Sequence, residues 1–91
     1  MPSHFERITR YAKLSGRRNS LRLERYYWDA LDWIARERGQ TTNELIEALE
    51  RQYGAILQND ASMASILRVF VAEHHRALAA ARQRAPVPAG R

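Results

Sequence analysis

Arg18-Asn19-Ser20-Leu21-Arg22-Leu23-Glu24 decides how this chain is read. Its side chains alternate. Leu21 and Leu23 point one way, and Arg18, Ser20, Arg22 and Glu24 point the other. The segment reads as one short strand, residues 18–24, followed by nothing but helix. A lone strand leaves N–H and C=O groups unpaired on both edges. The same strand from a second copy is then the simplest partner, giving an antiparallel two-stranded ribbon. One face of it would rest on a helical core and the other would carry arginine and serine. Two-stranded ribbons fit the DNA major groove. The strand therefore predicts a dimer and a ligand together.

The charge distribution agrees. The chain has 91 residues and a net charge of +5. Residues 1–25 carry Arg7, Arg10, Lys13, Arg17, Arg18, Arg22 and Arg25 against Glu6 and Glu24, net +5. Residues 26–75 are net −4 and residues 76–91 net +4. An acidic body with a basic front suits a protein that meets a polyanion with one face. Ninety-one residues make one domain at most. With no cysteine, disulfides and thiolate metal sites are excluded. No apolar run reaches the length of a membrane span and no signal peptide opens the chain, so a cytoplasmic location is expected.

Around the strand, Phe5, Ile8, Tyr11 and Leu14 recur every three residues. That spacing predicts a short amphipathic turn or a basic arm over residues 1–17. After the strand, Tyr27, Trp28, Leu31, Ile34 and Ala35 form the stripe of a first helix ending at Gly39. Tyr26 and Trp33 lie off that stripe, so they are expected to pack on the arm or the C-terminal helix, or to form a protein-partner patch. Thr41-Thr42-Asn43-Glu44 has capping-box form and opens a second helix, which Gly54 weakens. Gln58-Asn59-Asp60 reads as a turn, with Asp60 or Ser62 capping a third helix. The domain plan is an arm (1–17), a core (18–58), an added helix (59–83) and a disordered tail (84–91) marked by Pro86 and Pro88.

Catalytic chemistry is not indicated. There is no Gly-rich phosphate loop and no nucleophile motif. His74 and His75 are adjacent, so on a helix they point about 100° apart and do not share a metal. His74 is expected to be a satisfied, half-buried packing residue, and His75 and His4 to be solvated. Neither a metal nor another cofactor is expected, and the chain does not read as an enzyme.

The order strand, helix, glycine turn and capped helix resembles the ribbon-helix-helix family of bacterial DNA-binding proteins, which includes the Arc and methionine repressors. The residues that carry the resemblance are Ser20–Glu24, Trp28–Ala35 and Arg38–Ile46. With Ser65–Arg76 as an added helix, the chain looks like a short proteobacterial subfamily. The resemblance implies a mainly α fold: one N-terminal strand paired across a homodimer, two helices that interlock with those of the partner, and a third C-terminal helix. It implies that Arg18, Ser20 and Arg22 face the bases. By the same resemblance the start of the second helix, Thr41, Thr42 and Asn43, meets a phosphate. Arg10, Lys13 and Arg17 are expected to add phosphate contacts. Two residues depart from the family pattern: Asn19 stands where an apolar residue is common, and Glu24, in place of proline, would repel phosphate from the outward face.

The function expected is sequence-specific binding of double-stranded DNA by a dimeric transcriptional repressor. Stacking of dimers into tetramers on DNA is left open. Two alternatives stand beside it: a dimeric protein–protein adaptor without DNA binding, engaging its partner through Tyr26 and Trp33, and the antitoxin of a toxin–antitoxin pair.

Overall fold

In the computed structural model, residues 3–57 and 62–84 are described. The chain begins with a hairpin. Strand β1 (Arg7–Leu14) pairs antiparallel with β2 (Arg17–Glu24), in register from Leu14 opposite Arg17 to Arg7 opposite Glu24. Ser15 and Gly16 join them with φ of 52° and 77°. Two successive left-handed residues suit the two-residue type I′ loop, whose twist matches that of the strands.

The hairpin corrects the sequence reading. β2 is not a lone strand: β1 of the same chain pairs with one of its edges. Residues 7–14, read as arm or helix, follow a period of two. Ile8, Arg10, Ala12 and Leu14 face inward, and Arg7, Thr9, Tyr11 and Lys13 face outward. The inward row contains an arginine, which hid the alternation. Arg10 is accommodated there because its guanidinium lies 4.4 Å over the Trp28 ring.

Three helices follow. α1 (Arg25–Glu37) buries Trp28, Leu31, Ile34 and Ala35. It stops at Gly39, whose φ of 69° turns the chain so that the Gln40 N–H reaches the Ala35 carbonyl at 2.9 Å. The capping box forms as expected. The Thr41 N–H donates to Glu44 Oε1 at 2.8 Å, and the Glu44 N–H donates to Thr41 Oγ1 at 3.1 Å. α2 (Thr42–Leu57) buries Leu45, Ile46 and Leu49 and leaves helical geometry at Tyr53, beside Gly54. α3 (Met63–Arg84) starts on Ser62, whose Oγ accepts from the Ser65 N–H at 3.1 Å. The expected turn at 58–60, Asp60 and the tail from residue 85 lie outside the described residues. None of the described helices is long and apolar enough to cross a membrane.

The inner face of the hairpin, Ala12, Leu14, Leu21 and Leu23, rests on all three helices. α2 lies against β1, while α1 and α3 lie against β2. Leu23, Leu31, Ile34, Leu45, Ile46, Leu67 and Val71 are the most deeply buried side chains. A strand and two helices bury too little alone; within this chain β1 and α3 add apolar surface to their core.

Candidate nucleic-acid interface

Pairing in register stacks the outward side chains into facing couples: Arg7 with Glu24, Thr9 with Arg22, Tyr11 with Ser20, and Lys13 with Arg18. Four cations, two hydroxyls and one phenol therefore share one face of a two-stranded ribbon. The Arg18 guanidinium lies 4.0 Å over the Tyr11 ring, which fixes its direction without neutralising it. Among the described residues no ion pair takes up Lys13, Arg17, Arg18 or Arg22.

The exception on this face is Glu24, and it is compensated. Arg68 Nε donates to Glu24 Oε1 at 3.0 Å, and Arg7 Nε is 3.9 Å from its other oxygen. A hydrogen bond from its own backbone N–H, and then the Arg68 contact, hold the Glu24 carboxyl below its ordinary 4.5. The carboxylate sits at one end of the face with two arginines around it, so its repulsion of a phosphate is muted. The same contact ties α3 to the ribbon.

The residues expected to hold phosphates divide into two groups. Lys13 stands on the outward face beside Arg18. Arg17 is exposed at the turn, where its carbonyl accepts from the Asn19 side chain at 3.0 Å. Asn19 thereby closes the hairpin end, where an apolar residue was the commoner choice. Arg10, by contrast, faces inward, with Nη1 3.1 Å from Asp32 Oδ2. Thr42 Oγ1 donates to the other Asp32 oxygen at 2.6 Å. The Asn43 amide spans the backbone of Lys13, accepting from its N–H at 2.8 Å and donating to its carbonyl at 3.1 Å. Thr41 is occupied in the capping box. The start of α2 is therefore locked to the flank of β1, close to Lys13, with its hydroxyls and amide already engaged.

Sequence reasoning missed Arg7, Thr9 and Tyr11 as members of this face. The signal was present in Leu14-Ser15-Gly16-Arg17, a two-residue loop with glycine second, preceded by eight residues of strand length. Elsewhere, Tyr26 and Trp33 do meet the elements expected of them: Tyr26 meets His4 and His75, and Trp33 meets His74. Both remain partly exposed. His74 is half-buried as expected, but its buried Nε2 has no hydrogen-bond partner among the described residues.

Residues 7–75 match the family model described as the ribbon-helix-helix domain. A solved structure of an uncharacterized protein from Bordetella pertussis Tohama I is similar over 94% of this chain, with 30% identity and a TM-score of 0.77. This chain spans 66% of that one. Among curated proteins, none matches.

Proposed function

The chain belongs to the ribbon-helix-helix domain family, and from that premise we propose that it binds double-stranded DNA and reads sequence with the outward face of its hairpin, as a transcriptional repressor. The observation that carries the reading is the ribbon face itself: Arg7, Lys13, Arg18 and Arg22 with Thr9 and Ser20, on a two-stranded sheet. A ribbon of this width enters the major groove. Arg22 and Arg18 can each donate a bidentate pair to guanine, and Ser20 and Thr9 can donate or accept. Lys13 and Arg17, at the turn end, suit phosphates.

The reading takes two copies to one operator, each bringing its own hairpin to a half-site. Pairing the open β2 edges of two copies would instead set four strands side by side. Their outer strands would lie about 14 Å apart, wider than a groove of about 12 Å.

Fluorescence anisotropy with a labelled duplex tests the proposal. Wild type is expected to bind near physiological salt with a steep salt dependence. The Arg18→Ala/Arg22→Ala double variant is expected to bind more weakly, whereas Lys13→Ala is expected to flatten the log–log salt slope by about 1. No binding to duplex DNA, or equal binding by the double variant, would overturn the reading.

A further inference from the structure

Away from the ribbon, a groove of 330 Å³ runs between the start of α1, α3 and the N-terminal segment. It is lined by His4, Tyr26, Asp29, Ala30, Trp33 and His75. Tyr26, Asp29, Ala30 and Trp33 recur at three- and four-residue spacing, so they form a second stripe on α1, beside the one that faces the core. None of the groove's aromatic side chains belongs to the buried core.

The rings stand as walls. Tyr26 meets His4 at 5.9 Å and 86°, and His75 at 6.1 Å and 72°. Its hydroxyl lies 3.3 Å from His75 Nδ1, which holds both rings in place. Trp33 is 48% exposed and stands at 69° to the ring of His74. Ala30 keeps one side of the groove small. The single carboxylate in the lining, Asp29, is exposed and forms no ion pair among the described residues. The other carboxylates nearby are committed: Glu24 to Arg68 and Glu6 to Arg25.

We propose that this groove binds a small organic cation, a quaternary ammonium or alkylated amine, with Tyr26 and Trp33 as its walls and Asp29 as its counter-charge. Aromatic faces attract a cation held within about 6 Å of the ring. Alkyl groups on the nitrogen bury apolar surface that a bare ammonium lacks. A free carboxylate among rings completes the set: it disfavours an anion, and a neutral apolar ligand would cover it without pairing it. The volume fits one small molecule.

The test is a titration of the full chain with choline and with 3,3-dimethylbutanol, its uncharged isostere, followed by the indole N–H resonances. Trp28 serves as the internal control, because its Nε1 is bonded to the Ile8 carbonyl at 2.8 Å and its ring is buried. Choline is expected to shift the Trp33 indole saturably and leave Trp28 in place, while the isostere shifts neither. Asp29→Asn is expected to weaken the choline titration about fivefold or more, and Trp33→Leu to abolish the shift of the His75 ring resonances. Absence of a choline shift overturns the proposal. So does an equal response to the isostere, or unchanged affinity in Asp29→Asn. Self-association that perturbs Trp33 without ligand would assign the groove to a second copy instead.

Discussion

Asn43 and Lys13, thirty residues apart, are joined through one amide and one peptide unit: the Asn43 side chain accepts from the Lys13 N–H and donates to the Lys13 carbonyl. The pair continues the ladder beyond β1 for one residue and anchors α2 against the ribbon. It also blunts an edge that could otherwise template a foreign strand. Asn43→Ala is expected to cost about 1–2 kcal/mol in urea unfolding, for two exposed hydrogen bonds. Asn43→Asp keeps the acceptor and loses the donor, so it should fall between wild type and alanine. A neutral Asn43→Ala would mean that the hairpin holds its place without α2.

The turn makes a separate demand. Gly16 has φ of 77° and nothing within 4 Å of the position a Cβ would take. Gly16→Ala therefore tests backbone conformation free of collision. It should destabilise by about 1 kcal/mol, measured as a lower urea midpoint at unchanged slope. An unchanged midpoint would contradict the type I′ geometry.

Arg10 and Arg22 separate folding from reading. Arg10 pairs with Asp32 and stacks on Trp28, on the inner side of the ribbon. Its alanine variant should lose about 0.5–1.5 kcal/mol of stability and keep the sequence preference on DNA. Arg22→Ala should keep its stability and lose about 1–3 kcal/mol of discrimination at one base pair. Paired urea unfolding and competition binding check both. The reverse pattern would put the DNA-facing side on the wrong face.

His74 makes stability depend on pH. Burial, then His75 and Arg38, lowers its pKa below the ordinary 6.5, so the folded protein holds it neutral. The unfolded chain binds the extra proton first as pH falls. Stability is therefore full above 6.5 and is lost as pH drops from there through the lower folded value. His74→Leu should remove that slope in denaturation midpoints between neutral and mildly acidic pH. A wild-type midpoint that rises on acidification across this range would contradict the assignment.

Much of the fold was legible in the sequence. The apolar stripe of α1, the stop at Gly39 and the Thr41–Glu44 box all act over three or four residues, where local rules dominate. Arg18, Ser20 and Arg22 were placed on the outward face because the Leu21 and Leu23 alternation is unbroken. β1 was not legible. Its inward row is interrupted by Arg10, whose burial depends on Trp28 and Asp32, partners eighteen and twenty-two residues away. Phe5, Ile8, Tyr11 and Leu14 then imitated a helical period. The contacts that engage Asn43 and Thr42 were not legible either, because Lys13 of β1 and Asp32 of α1 cannot be paired with them from spacing alone.

The most direct test is a selection of bound sequences from random duplex DNA near physiological salt, with wild type, Arg22→Ala and Arg10→Ala side by side. Wild type and Arg10→Ala should enrich the same short motif, and Arg22→Ala should lose preference at one position of it. Equal enrichment by wild type and Arg22→Ala, or no enrichment by wild type at all, would contradict a sequence-reading ribbon.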